Sequence, residues 1–374
     1  MASSRIVSDR SRAERLAIVT DQHPQSGIGV YASQLYTLVR KDLPSVELFN
    51  MYYFPVDLPP EWKEFPGHRH AQSFAEMPMI RRLNRSNVLK SGVLEGYGIH
   101  LCGADYSLVA ASPSCLATVH DYYLRRPDRT LLSEPRLFLT EAATAVQFMV
   151  SPRDLSRCQA IVSISNTTQR DLMRRLGIDS TVIHHWYDPS RFFVHDKQTA
   201  RRRLGLGSDD VILLSVGAGS LNKNRRLLSR LAQILPSSYL VVKVGAPVAE
   251  RGGRIFNRGR VSDEDYPLYF SAADLYVQTS TSEGFGRPLL EAMAASLPVV
   301  ATRTPSAVEV LGDAGILIDI PATPLQFASA IQAAIESKQG GMGLTDRARL
   351  RAQLFSPERA REEYLSLYRR TILI

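Results

Sequence analysis

Short, unbroken apolar runs, each separated from the next by room for a helix, constrain this chain more than any other feature. The first half carries "RLAIVT" (15–20), "VELFN" (46–50), "YSLVAA" (106–111), "LATVH" (116–120) and "QAIVSI" (159–164). The second carries "VILLSV" (211–216), "YLVVKV" (239–244), "DLYVQT" (274–279), "PVVA" (298–301) and "GILI" (315–318). These runs do not alternate apolar with polar, so both faces of each strand are buried, as in a parallel sheet covered by helices. Helical patterns fall between them. One is the spacing of Tyr31, Leu35 and Leu38. Another is "TQRDLMRRLG", with Ser165 or Thr167 as its cap and Gly177 as its stop. Two such blocks predict an α/β fold of two Rossmann-like parallel-sheet domains. The length of 374 residues agrees, since a single core stops growing near roughly 250–300 residues.

The expected division is a disordered tail over 1–15, a first domain over 16–195, a second over 196–355 and a closing helix over 356–374. The polar, basic stretch "DPSRFFVHDKQTARRRLGLGSDD" reads as the linker. In "SPERAREEYLSLYRRTILI", Ser356 caps a helix and Pro357 takes its first position. Tyr364, Leu367, Tyr368 and Ile372 form one apolar stripe that can reach back to the first domain. Five prolines between Pro55 and Pro78, and the absence of strong strand runs, make residues 51–105 look functional or mobile.

Three scattered cysteines suit a reducing, cytoplasmic setting. A net charge of +8 suits phosphate-bearing ligands or an anionic surface. The charge is not gathered in one run, so nucleic acid is not expected as a partner. The basic, partly apolar run 69–90 fits either a solvated face or peripheral contact with an anionic membrane at its inner face. The pairs His68/His70 and His184/His185 show no third partner at metal spacing, so no metal is expected.

The stretch "EGFGRPLLEAMAASLPVVAT" (283–302) carries the chemistry. Glu283 and Glu291 lie eight residues apart around a Gly-Phe-Gly turn, and Pro288 is expected at the first position of the following helix. Gly284 and Gly286 expose bare N–H groups at a helix start, an anion cradle without a cation. Carboxylates repel phosphate but accept hydrogen bonds from hydroxyls. Two of them flanking a phosphate cradle suit a ligand with hydroxyls on both sides of its phosphates, the shape of a nucleotide sugar. The cradle also lies at the carboxyl end of a sheet, where open α/β folds bind ligands.

The Glu-x7-Glu pattern with its internal Gly-Phe-Gly resembles the signature of the retaining GT-B glycosyltransferases of family 4, the group 1 glycosyltransferases. "VGAGSLNKNRRLL", "RVSDEDYPLYFSAADLYVQTSTSEGFG" and "SAVEVLGDAGILID" resemble family stretches in the second domain; "SGIGVYASQL", "TVHDYYL" and "AIVSISNTTQRDL" do so in the first. The resemblance covers residues 16 to 320 and implies two domains facing a central cleft. It implies that Lys223, beyond Gly217, contacts the donor diphosphate, that Glu283 holds sugar hydroxyls and that Glu291 holds the ribose. Gly284, Phe285, Gly286, Arg287 and Pro288 would complete the donor loop. Gly29 would approach the donor phosphates and His120 the reacting sugar, with Asp121 beside it. Arg260 and Val261 would lie near the base. Where the family often has arginine, this chain has Ala218, so a second phosphate cation comes from elsewhere, with Arg225 and Arg287 as candidates, or is absent.

The implied reaction is sugar transfer from a nucleotide-diphosphate donor to a hydroxyl of a glycan, a lipid-linked or a small-molecule acceptor, with retention and without a metal cofactor. Two other readings stay open. "SGIGVYA" is also a weak dinucleotide fingerprint, which makes a nucleotide-dependent oxidoreductase using Gly27 and Gly29 an alternative. The loop "DQHPQS", however, is long for that turn. A non-catalytic scaffold on the same fold is the other.

Overall fold

A computed structural model describes residues 13–52, 54–73, 76–103, 106–112, 114–120, 152–250, 252–336 and 343–373. Residues 1–12 of the expected tail and Asp121 lie outside the described residues; the end of that tail is corrected, since Ala13 is buried and bridges Leu373 and Arg15 opens the first strand. The chain divides into two compact units. One runs to Ile183 and takes in the chain again from Arg361; the other is His184–Ala360.

The first unit is built on β1 (Arg15–Thr20), β2 (Val46–Asn50), β3 (Trp62–Glu64), β4 (Tyr97–Cys102), β5 (Cys115–Val119), β6 (Ala160–Ser163) and β7 (Thr181–Val182). Their order is β3-β2-β1-β4-β5-β6-β7, and every pairing is parallel. The second holds β8 (Val211–Gly217), β9 (Tyr239–Gly245), β10 (Ile255–Gly259), β11 (Leu275–Gln278), β12 (Val299–Thr302) and β13 (Ile316–Ile318), all parallel, in the order β10-β9-β8-β11-β12-β13. In each sheet the chain winds outward one way and then the other. The switch points fall between β1 and β4 and between β8 and β11, the places where loops diverge and leave a crevice. Central strands are buried throughout, as their unbroken apolar character requires.

Several expectations need correction. "YSLVAA" is a 3-10 helix, Tyr106–Ala111, not a strand. An apolar run of six fits either, and here Leu108 and Val109 bury themselves from a tight turn. The stretch taken as linker holds the helix Lys197–Leu204, capped by Asp196 and stopped by Gly205. Its Arg201 is buried: the guanidinium donates to the carbonyls of Ala272 and Ser208 and to Asp274. A basic run is solvated by default, but this arginine satisfies its donors internally. The second unit begins at His184, ahead of that helix. Residues 51–105 contain β3, β4 and the helix Met77–Ser91 between them.

The helix Pro357–Thr371 follows Ser356, whose hydroxyl accepts from the Arg359 amide at 3.3 Å. From Arg361 onward it belongs to the first unit, where Tyr364, Leu367, Tyr368 and Ile372 are buried. A polar network fixes this docking. His100 on β4 bonds the Tyr368 hydroxyl through Nδ1 and the Thr118 hydroxyl through Nε2, both at 2.7 Å. Tyr31 bonds Thr118 at 3.1 Å and also meets the Tyr364 hydroxyl. Burial, followed by the charge of His120, pushes His100 down to about 3, so it is neutral. Tyr368→Phe deletes one of its two partners and leaves a buried imidazole nitrogen unsatisfied. The expected cost is about 1–3 kcal/mol, read as a lower urea midpoint at unchanged slope; an unchanged midpoint would remove the network from the account.

Candidate functional site

The switch point of the second sheet gathers most of the predicted residues. β8 ends at Gly217, and the chain turns through a 3-10 helix, Leu221–Lys223, into the helix Arg225–Ile234. Asn224 joins the two at φ 45°, a left-handed conformation that asparagine tolerates better than most residues. β11 ends at Gln278 and runs into the loop that carries Glu283. The two loops are stitched together. Thr281 N–H donates to the Asn222 carbonyl at 2.7 Å, Asn222 Nδ2 to the Ser282 carbonyl at 2.9 Å, and the Thr279 hydroxyl to the Lys223 carbonyl at 3.0 Å.

This stitching puts Lys223 Nζ 2.6 Å from Glu283 Oε1, the same oxygen that accepts from the Ser280 hydroxyl at 2.6 Å. The lysine tied by resemblance to phosphate and the carboxylate tied to sugar are thus one ion pair. A Cβ on Gly217 would come within 3.3 Å of the Lys223 stem, so the glycine clears the path of that side chain.

The helix Arg287–Ala294 starts from Gly286 at φ 93°, and Pro288 is its second residue rather than its first. Its first turn turns Glu291 inward. The Tyr266 hydroxyl donates to Glu291 Oε2 at 2.6 Å, and Arg287 lies 3.7 Å from Oε1. Glu291 is only 6% exposed. Burial, then the charges of Glu283 and Glu291, push the phenol of Tyr276 on β11 well up. Phe285 anchors the turn from below, its ring buried against His184, His185 and Phe355. Arg260 is exposed and Val261 half-buried, just past the end of β10.

Two residues at this point escaped sequence reasoning. Lys243 on β9 is 2% exposed and donates to the carbonyls of Gly217 at 2.8 Å and Val244 at 2.7 Å. Burial first, then the charges of Lys223 and Arg225, push it down to about 8. Its signal was a lone charge inside the apolar run "YLVVKV". Gln278 is the second: its Nε2 is buried with no protein partner among the described residues. Both line one crevice with Gly217, Lys223, Arg225 and Ser280. Arg225 itself donates to the carbonyls of Pro247 and Gly219, which braces the glycine turn. Three cations, two carboxylates and an amide donor converge where a polyanion with hydroxyls at both ends can sit.

Gly29 and His120 belong to the first unit. The Gly29 amide donates to the Ser26 cap hydroxyl at 3.0 Å, and a Cβ there would fall 2.2 Å from the His23 carbonyl oxygen. Close approach of its own loop therefore already requires glycine. His120 follows β5, is 8% exposed and packs edge-on against Tyr31 at 4.6 Å. The helix that starts at Gly27 thus supports His120 through Tyr31.

The family described as glycosyl transferases group 1 matches residues 196–353. O-antigen chain mannosyltransferase B of Escherichia coli is 32% identical over 331 residues, 80% of this chain and 84% of that protein. Among solved structures, sucrose-phosphate synthase from Thermosynechococcus elongatus superposes with a TM-score of 0.75 at 20% identity, covering 95% of this chain and 99% of that one. Anabaena HepE in complex with UDP and glucose gives 0.69 at 17% identity, with 94% and 99% covered. Among the described residues, no helix is long and apolar enough to cross a membrane.

Proposed function

The chain belongs to the group 1 glycosyl transferases, and we propose that it moves a sugar, mannose first among candidates, from a nucleoside-diphosphate donor to a hydroxyl with retention of configuration. The observation that carries this is the Lys223–Glu283 pair at the switch point, with Lys243 and Gln278 beneath it. The sugar follows from the name of the E. coli relative, a mannosyltransferase acting on an O-antigen chain. A glycan acceptor follows from the same name. HepE, a fold relative, holds UDP and glucose.

In this reading the bond between the anomeric carbon and the phosphate oxygen breaks, and the acceptor oxygen forms the new bond on the same face of the sugar. The acceptor proton passes to the departing phosphate oxygen, so the step needs no separate protein base, and in this reading it uses neither a protein nucleophile nor a metal. Lys223 stabilises the charge growing on the leaving group, and the N–H groups of the Gly284–Gly286 turn add their dipoles. Glu283 holds sugar hydroxyls and is itself oriented by Ser280. Glu291 accepts from the ribose, braced by Tyr266. The oxidoreductase reading loses ground because Gly29 spends its amide on Ser26.

The test is thermal unfolding of the whole chain with GDP, UDP, ADP, dTDP and NAD, repeated on Lys223→Ala and Glu291→Ala. One nucleoside diphosphate at 100 times its dissociation constant should stabilise the native state by about 2.7 kcal/mol, and both variants should lose most of that. A response to NAD alone, or one indifferent to both substitutions, would sink the reading.

Lys243 adds a second expectation. An anion bound beside it raises its affinity for a proton, so diphosphate binding at pH 8 should take up as much as about half a proton. Calorimetry in HEPES and in Tris, whose ionisation enthalpies differ, reads this as a buffer-dependent enthalpy. Lys243→Met should abolish the dependence; equal enthalpies for the native chain would place the diphosphate away from Lys243.

A further inference from the structure

At the carboxyl end of the edge strand β3, the chain assembles three metal-ligating groups. Glu64 is the last residue of β3, and His68 and His70 lie in the loop that follows. One ligand atom from each lies within 4.8 Å of the others. His70 Nε2 stands 3.1 Å from Glu64 Oε1, and the two imidazole rings are 5.0 Å apart at 72°. Four ligands at zinc bond lengths sit about 3.3 Å from one another around a tetrahedron. The His70–Glu64 edge, 3.1 Å, already has about that length, and the His68 ligand atom lies within 4.8 Å of both.

The second observation concerns the proton on His68. Its Nε2 lies 2.9 Å from the Tyr52 carbonyl, which can only accept, so Nε2 carries the hydrogen. Nδ1 is then an unprotonated lone pair, and it is buried without a hydrogen-bond partner among the described residues. A buried acceptor left unsatisfied costs stability. A histidine whose outer nitrogen is held by a backbone carbonyl is also the arrangement that orients imidazole toward a metal. His70 Nε2 is likewise buried and has no hydrogen-bond partner among the described residues, though Glu64 Oε1 stands 3.1 Å away.

We propose that Glu64, His68 Nδ1 and His70 Nε2 bind one divalent transition-metal ion of the zinc type, with the fourth position left to water or an oxygen ligand. Two imidazoles and one carboxylate are borderline donors that favour zinc over magnesium or calcium. The ion clamps the end of β3 to the loop that leads into the helix Met77–Ser91. That loop is otherwise held to the helix by Asn84, which bonds both the amide and the carbonyl of Arg69. In the sequence the histidine pair shows no third partner; the fold supplies one, Glu64, four residues upstream of His68 and across the positive-φ Gly67. The site is in the first unit, takes no part in sugar transfer as derived above, and stands whether or not that reading holds.

The experiment is titration of the EDTA-stripped full-length chain with zinc chloride by calorimetry, with cobalt(II) absorption as a probe of coordination. A single equivalent should bind at micromolar strength or tighter, raise the thermal midpoint and give the intense visible bands of a four-coordinate cobalt site. His70→Gln and Glu64→Gln should each weaken binding by at least about tenfold, while their metal-free unfolding midpoints stay near that of the native chain. His184→Gln, which removes a second histidine–carboxylate pair, His184–Glu309, should leave zinc binding unchanged. Absence of saturable binding overturns the proposal. So does binding that survives both His70→Gln and Glu64→Gln, or that is lost in His184→Gln.

Discussion

Lys223→Ala is expected to lower kcat by about 10²–10³-fold, the loss typical of removing one preorganised charge from a developing oxyanion. The argument is geometric. Lys223 is held by Glu283 at 2.6 Å, and its backbone carbonyl is fixed by Thr279, so the ammonium is placed before any ligand arrives. Such a group costs no reorganisation when charge builds on the departing diphosphate. Glu283→Gln provides the contrast. It keeps the shape and the bond from Ser280 but removes the charge that competes for the ammonium. The affinity of the bare nucleoside diphosphate should therefore hold or rise while turnover falls. Steady-state kinetics with the donor picked out by the nucleotide panel, together with dissociation constants for the diphosphate, separate the two effects. If Lys223→Ala raised KM and left kcat intact, the lysine would bind donor and transition state alike, and the electrostatic role would be wrong.

Ten apolar runs predicted strands, and nine of them hold one; the exceptions on either side have physical causes. β4, "YGIHLC", went unread because Gly98 and His100 break its apolar pattern. Both departures belong to the C-terminal helix. A Cβ on Gly98 would sit 2.9 Å from the Ile372 carbonyl oxygen, and His100 bonds Tyr368. A contact 268 residues away in sequence writes itself into a strand as an irregularity, which local pattern reading discards. β10 went unread because, at the sheet edge, all five of its residues are only half-buried. The double-glutamate loop was legible because its parts are consecutive. Lys243, Tyr266 and Gln278 were not, since their roles exist only once β9, β11 and the helix Tyr266–Ala272 are brought to the switch point.

Gly245→Ala is expected to cost about 2–5 kcal/mol, the sum of roughly 1–2 kcal/mol for positive φ and about 1–3 kcal/mol for overpacking. Gly245 ends β9 at φ 92°, and a Cβ there would lie 2.4 Å from the Gly217 carbonyl oxygen. That oxygen accepts from both the Ala246 amide and the Lys243 ammonium, so it has nowhere to retreat. The substitution forces apart the paired strand ends that carry the crevice floor. Gly259→Ala is the control. It too has positive φ, 61°, but nothing lies within 4 Å of the new methyl group, so it should lose only the conformational part. Chemical denaturation of both variants separates strain from collision. Equal losses would mean that φ alone decides, and that the Gly217 carbonyl is free to move. Lys243 would then brace nothing, and its buried charge would have to be explained by the bound anion alone.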